Sequence, residues 1–351
     1  MNASCKSRAE VAHSFASDNN TGIHPLVLEK IQEANQGQFL AYGDDPWTEK
    51  ARQLFCEKLG RAADILFFLT GTGANVVAMA AMLQSWEALI APWQAHLNED
   101  ECGAPEKFTG SKIITVKRPD GKLGPEDVAP FLMQRGDVHR VQPRAVSITQ
   151  SSEFGRIYSL EEIRRLADFL HKEGLYLHVD GARLANACAA LNCGLKEMIA
   201  GTGVDIVSFG GTKNGLFQAE ALLVLNENLI SAARFLQKQA MQLPSKMRFV
   251  AAQFVAYLED DLWLRLAGHA NRMAVHLAAA LNELPRVRLA HPVEANAVFV
   301  YVPAECVEAL RAGGYFYLFD ETSSMARLMC NYDTTPEDIQ TLVEHWRRTL
   351  A

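Results

Sequence analysis

Between residues 63 and 224, short runs of β-branched and aromatic residues alternate with stretches whose apolar residues recur at helical spacing. No other feature restricts the fold as much. The runs fall at 65–69, 88–91, 113–116, 145–149, 175–179, 206–209 and 221–225. Strand-like runs separated by helix-length segments mark βαβ units, whose crossovers lay helices over the faces of a largely parallel sheet. One helix has both ends written into the sequence. Ser159 caps it, Leu160, Ile163, Leu166, Ala167 and Leu170 form its apolar stripe, and Gly174 stops it. The expectation is a large α/β domain on a mostly parallel seven-stranded sheet.

After Leu243 the rhythm changes to two long helical stretches, 247–258 and 262–284. Strands are expected at 287–290, 297–302 and 325–330, a helix over 304–312, and a terminal helix opened by Thr335, Pro336 and Asp338. The chain therefore reads as a large domain over 1–245, including the amino-terminal segment, and a smaller C-terminal α+β domain over 246–351. A length of 351 residues agrees with two cores, since one domain ordinarily takes about 100 to 200 residues. The segment 92–110, with His96, Glu99, Asp100, Glu101 and Glu106 among glycines and prolines, fits neither pattern. Long irregular stretches inside α/β domains tend to be functional.

Lys and Arg number 34 against 41 Asp and Glu, a net charge of −7, and no basic block stands ready to neutralise a phosphate backbone. Nucleic acid is not an expected partner. No apolar run reaches the roughly 18 residues of a membrane span, and the amino-terminal residues carry no signal-type apolar core, so no membrane partner and a cytoplasmic location are expected. Seven cysteines, scattered without a CxxC pair, read as reduced thiols. The ten histidines show no HxxxH or HExxH spacing, and no metal is expected.

In open α/β sheets ligands collect at the carboxyl ends of the strands. Three strand tips carry unusual residues. Thr70-Gly71-Thr72-Gly73-Ala74-Asn75 precedes an apolar helix, placing free backbone N–H groups at a glycine-relaxed turn suited to a phosphate. It lacks the Gly-Lys-Ser/Thr of a P-loop, Val76 stands where a dinucleotide fingerprint needs a glycine, and an ordinary strand-to-helix turn reads the same way. His178-Val179-Asp180-Gly181-Ala182-Arg183 puts Asp180 at a strand tip, on the same face as His178. It serves equally as a cap for the following helix. Gly210-Gly211-Thr212-Lys213-Asn214-Gly215 hems a lysine with glycines between two strands; the plain alternative is a solvated loop lysine. Together these are the three groups pyridoxal phosphate requires: an anion-binding turn, a lysine for the covalent link, and a carboxylate that keeps the ring nitrogen protonated.

The ordered motifs Ser17-Asp18-Asn19, Tyr42-Gly43-Asp44-Asp45-Pro46, Thr70 to Asn75, Ala95-His96, His178 to Arg183, Gly211 to Gly215, Met247-Arg248 and Ala326-Arg327-Leu328 resemble the threonine aldolase and β-eliminating lyase group of pyridoxal-phosphate enzymes. Within that group, Asp100-Glu101-Cys102-Gly103-Ala104-Pro105-Glu106 is similar to the bacterial low-specificity L-threonine aldolase branch. The resemblance implies fold type I, the aspartate aminotransferase fold. It implies that Lys213 carries the cofactor, Asp180 meets its ring nitrogen, Gly71, Thr72 and Gly73 cradle its phosphate and His96 stacks on its ring. Arg183 and Arg327, with Ser17 assisting, would grip the substrate α-carboxylate, for which the planar guanidinium fork is suited. Arg248 would reach a phosphate site and Tyr42 a substrate pocket across the interface of a homodimer or homotetramer with shared active sites.

The implied reaction is retro-aldol cleavage of L-threonine, L-allo-threonine and other β-hydroxy-α-amino acids to glycine and an aldehyde. Where many relatives have Thr-His-Asn-Gly, this chain has Ser152-Glu153-Phe154-Gly155, so Glu153, together with His96, becomes the candidate for handling the β-hydroxyl proton. Glu153 as a surface turn residue is the alternative. Other readings on the same residues are β-elimination, amino-acid racemisation or transamination with the same cofactor, and a non-catalytic binding module of the same fold. A nicotinamide-dependent dehydrogenase is disfavoured by Val76.

Overall fold

The computed structural model describes residues 14–351. Two compact units emerge: Gly22–Gly268, and residues 14–21 together with residues 269–351.

All seven expected runs become strands of one sheet in the larger unit. They are β1 (Asp64–Phe68), β2 (Glu87–Pro92), β3 (Lys112–Val116), β4 (Gln142–Thr149), β5 (Tyr176–Gly181), β6 (Ile206–Gly210) and β7 (Glu220–Val224), in the order β1-β7-β6-β5-β4-β2-β3. Neighbours run parallel except at β7, which is antiparallel to both β1 and β6. The reversed direction of β7 brings its first residue, Glu220, opposite Gly210 and Phe68, at the carboxyl end of the parallel strands.

One face of the sheet is sealed by Val77, Met79 and Met82 of the helix Gly71–Met82 with Leu229 and Ala233. A linked aromatic cluster of Phe55, Phe67, Phe209, Phe254 and Tyr257 lies elsewhere in the same unit, with neighbouring ring centroids 5.3–6.3 Å apart. Phe254 and Tyr257 belong to the helix Arg248–Leu258, in which every residue from Val250 onward is buried. That helix is part of the larger unit, so the division falls after Gly268 instead of at the expected 245/246. The helix Leu160–Lys172 has the expected start, with Ser159 and Glu162 reciprocally bonded as a capping box. The segment 92–110, expected to be irregular, contains two short helices, His96–Glu99 and Ala104–Thr109.

The smaller unit has a second sheet of β8 (Arg288–Leu289), β9 (Ala297–Tyr301), β10 (Tyr317–Asp320) and β11 (Met325–Met329), ordered β10-β11-β9-β8 and antiparallel throughout. The edge strand β10 has no counterpart in the sequence reading; its four residues are too short to show alternation. Residues 14–21 were expected in the larger domain but sit with this unit, because the Phe15 N–H donates to the Tyr315 carbonyl and the Phe15 carbonyl accepts from the Met329 N–H. Phe15 joins a core with Trp346, Phe316 and Leu328.

The six cysteines in the described residues are free thiols, and Cys5 lies outside them. Among the described residues no helix is long and apolar enough to cross a membrane, and no three His, Cys, Asp or Glu side chains are grouped to hold a metal ion.

Candidate active site

The sequence after β1 forms a sharp entry into the helix Gly71–Met82. Thr70 is extended (φ −140°, ψ 146°) and its hydroxyl oxygen accepts from the Gly73 N–H at 3.1 Å. That occupies one of the donors expected to serve an anion and leaves the N–H groups of Gly71 and Thr72 in the first turn of the helix. A Cβ at Gly71 would meet nothing within 4 Å, whereas one at Gly73 would stand 2.5 Å from the Gln242 side chain. Thr70, Thr72 and Gly73 line a cavity of about 440 Å³, shared with Lys107 and Gln242.

Asp180, the penultimate residue of β5, is buried and pairs with Thr149 and Ser208 of the neighbouring strands. One carboxylate oxygen accepts from the Ala182 N–H at 3.1 Å and the other from the Asn75 amide at 3.0 Å. The helix beyond starts only at Leu184, with Arg183 at its N-cap, so Asp180 braces the turn rather than capping the helix. The Asn75 amide also donates to Glu101 at 2.8 Å, and the same Glu101 oxygen lies 2.9 Å from Nδ1 of His96. This bond to Glu101 raises the His96 pKa above the ordinary imidazole value; burial and the Lys213 charge oppose it.

Lys213 lies in the single 3₁₀ turn Thr212–Asn214. The turn is anchored by the Asn214 amide, which donates to the Tyr257 hydroxyl at 2.6 Å and to the Trp263 carbonyl at 3.0 Å. It is closed by Gly215 at φ +95°, a conformation that glycine adopts without steric cost. The charge of Lys213 bears on His96, Glu153 and Glu220, and the charge of Asp180 bears on the same three. Glu153, just past β4, is half-buried; burial pushes its carboxyl pKa up against the pull of Arg183 and Lys213.

The charges of Lys213, Asp180, His96 and Arg183 all bear on Glu153, and those of Lys213 and Asp180 bear on His96 as well. Sequence reasoning missed two further acids there. Glu101 was quoted only as part of the segment 92–110 and the run Asp100 to Glu106 within it, and given no role of its own. Glu220, whose pKa burial pushes up to about 7, hydrogen-bonds Thr212 beside Lys213. It reads in sequence as the polar start of an apolar strand.

The remaining candidates have surroundings of their own. Tyr42 is half exposed at φ +62°, with the Lys238 ammonium 4.9 Å above its ring. Arg248 packs its guanidinium over Phe249 and Phe39. Asp45, quoted in the same motif as Tyr42, has a plain structural job as N-cap of the helix Pro46–Leu59. Ser17 and Arg327 belong to the smaller unit. Ser17 caps a short turn by accepting from the Asn19 N–H, and Arg327 pairs with Phe299 and Tyr317 in the sheet, its guanidinium 6.0 Å from the Phe319 ring.

The family model described as Beta-eliminating lyase matches residues 14–305. The chain belongs to the β-eliminating lyase family. Among the relatives of this β-eliminating lyase family member is the low specificity L-threonine aldolase of Pseudomonas aeruginosa, 44% identical over 339 residues that cover 96% of this chain and 98% of the relative. The solved structure of Leishmania major threonine aldolase matches it with a TM-score of 0.91 at 33% identity, covering 97% of this chain and 100% of that one. A structure of SPT with PLP matches at a TM-score of 0.71 and 17% identity, over 95% of this chain and 86% of that one; at that identity the likeness shows the fold alone. The fold is fold type I of the pyridoxal-phosphate enzymes.

Proposed function

We propose that this chain is a pyridoxal-phosphate-dependent L-threonine aldolase, cleaving L-threonine, L-allo-threonine and other β-hydroxy-α-amino acids to glycine and an aldehyde. The observation that carries the reading is the convergence of Lys213, Asp180, His96 and Glu153 at one end of the sheet, in a chain 44% identical to a named threonine aldolase.

The residues present fit the cofactor. Asp180 is a buried carboxylate whose two hydrogen-bond donors, Ala182 N–H and the Asn75 amide, are both neutral. A buried charge is costly without a countercharge, and a protonated ring nitrogen supplies one. The open space over Gly71 and the N–H groups of Gly71 and Thr72 suit a phosphate at the start of a 12-residue helix. Lys213, on its glycine-flanked turn, would hold the cofactor covalently. Bound pyridoxal phosphate supplies an electron sink for the pair left at Cα when the Cα–Cβ bond breaks.

The chain's own residues do the rest. On the resemblance, Arg183 binds the α-carboxylate and so orients the Cα–Cβ bond, with Arg327 and Ser17 proposed for the same anion. Glu153, with His96, takes the proton from the β-hydroxyl as the aldehyde departs. Tolerance of larger β-substituents follows because a methyl group in a pocket discriminates by only about 1 to 3 kcal/mol.

The exposed run of Phe39, Leu40 and Tyr42 supports a homodimer or homotetramer in which Tyr42 and Arg248 serve a neighbour's site, and a cytoplasmic location remains part of the proposal. Sedimentation of the purified protein tests the assembly.

The activity is tested by incubating the purified, cofactor-loaded protein with each threonine diastereomer and assaying glycine and acetaldehyde. The loaded protein is expected to be yellow, to bleach with borohydride and to be colourless as Lys213→Ala. Absence of acetaldehyde from both diastereomers would overturn the reading.

A further inference from the structure

Glu101 occupies a place in the larger unit that no role above accounts for. Its side chain is fully buried, and Oε1 takes two bonds at once, from the Asn75 amide at 2.8 Å and from Nδ1 of His96 at 2.9 Å. Both hydrogens of the Asn75 amide are committed, one to Glu101 and the other to Asp180 at 3.0 Å. The result is a continuous chain His96–Glu101–Asn75–Asp180, whose members come from the helix His96–Glu99, the turn after it, the helix Gly71–Met82 and the tip of β5.

Each link constrains the next. A carboxylate accepts and does not donate, so the imidazole nitrogen facing Glu101 must carry the proton. The orientation of the ring and its tautomer are then decided together, and Nε2 becomes the edge presented elsewhere. The same carboxylate favours the charged imidazolium. Two further charges bear on that ring: Lys213, which disfavours the imidazolium, and Asp180, which favours it. The hydrogen bond to Glu101 is the largest single influence on that ring, and burial and the lysine oppose it. On the other side, an amide that must donate to two carboxylates has one permitted orientation. Glu101 therefore also fixes the Asn75 hydrogen that reaches Asp180.

We propose that Glu101 is a positioning residue: through its bond to Nδ1 it sets the tautomer and charge of His96, and through the Asn75 amide it holds the carboxylate of Asp180 in place. The role for His96 in proton transfer rests on the aldolase reading; the tautomer and the charge do not.

The test uses the full chain labelled with ¹⁵N-histidine, without and with cofactor, and reads the ring nitrogens of His96 by NMR, the signal being identified by its loss in His96→Asn. The expected result is a ring protonated at Nδ1 when neutral, titrating above the ordinary histidine value. In Glu101→Gln the midpoint should fall by about one pH unit, while Glu101→Asp, which keeps the charge, should recover part of it. A wild-type ring protonated at Nε2 when neutral overturns the proposal without any variant, which keeps the test decisive even if Glu101→Gln does not fold. An unchanged midpoint in Glu101→Gln overturns it as well. Neither readout needs threonine cleavage: an inactive protein with the expected His96 titration would remove the aldolase reading and leave Glu101's role standing, and active protein with an unperturbed His96 would do the reverse.

Discussion

Nε2 of His178 lies 3.0 Å from the Ser208 hydroxyl, and on the other side Nδ1 of the same ring lies 2.9 Å from the Ser147 hydroxyl. A completely buried imidazole thus spans from β4 to β6 with both nitrogens satisfied by hydroxyls, which can donate or accept as the neutral ring requires. Burial pushes its pKa down to about 4, with Asp180 opposing. The depressed value means that its stabilising contribution is complete above the unfolded pKa near 6.5 and is lost as pH falls through about 4. We predict that wild-type protein loses about 3 kcal/mol more stability than His178→Gln between those limits. Urea unfolding of the cofactor-free protein across that range measures the difference, and parallel curves would refute it.

Glu220 has the opposite sign. Its carboxyl is buried beside Thr212 and its pKa is raised from 4.5 to about 7. The folded state therefore holds a proton that the unfolded chain has released. That contribution is fully present below about pH 4.5 and disappears as pH rises through about 7. Glu220→Gln, isosteric and always neutral, is expected to remove this decline. Its melting temperature should overtake that of the wild type above neutral pH and trail or match it near pH 5. A variant that stays below the wild type at every pH would show that the Thr212 contact needs the carboxylate itself.

The seven strands of the larger sheet were legible because strands covered on both faces read as continuous apolar runs, and Asp180 and Lys213 drew notice as a set because both lie where strands end. Glu220 did not. Its position next to Lys213 depends on β7 running against its neighbours, and nothing in Glu220-Ala221-Leu222 announces a direction. The Asn75–Asp180 bond joins residues 105 apart in the chain, and no periodicity links them. The helix Arg248–Leu258 looked like the opening of a second domain because the βα rhythm stops before it. Its burial all around, with Phe254 against Phe55 and Phe67, ties it to the first.

Two glycines near the site make opposite predictions. At Gly210 a Cβ would stand 2.6 Å from the Ala182 carbonyl oxygen and 2.8 Å from its Cα. Backbone cannot yield as a flexible side chain can, so Gly210→Ala is expected to cost about 3 kcal/mol or to prevent folding. At Gly71 a Cβ meets nothing within 4 Å. Gly71→Ala should leave the cofactor-free protein as stable as before, or up to about 1 kcal/mol more so from helix propensity. It should nevertheless weaken pyridoxal phosphate binding, because the methyl group would enter the space assigned to the phosphate. Melting curves without cofactor and a cofactor titration of each variant separate the two effects. Undiminished affinity in Gly71→Ala would move the phosphate away from this turn.

Glu153 gives the most direct test of the chemistry. As the proposed base it must be ionised to act, and burial holds its pKa above the ordinary carboxylate value while Arg183 and Lys213 pull the other way. Cleavage should therefore decline as pH falls through that raised value. Glu153→Gln keeps the shape of the side chain but cannot take up a proton. We predict a fall in kcat for threonine cleavage of about 10² to 10⁴-fold, loss of the acid limb of the pH profile, and little change in cofactor binding. If the variant cleaves threonine at the wild-type rate with the same pH dependence, the β-hydroxyl proton goes to another group, and His96 becomes the sole candidate among the residues named above. A loss of activity accompanied by loss of cofactor would instead identify Glu153 as part of the binding site.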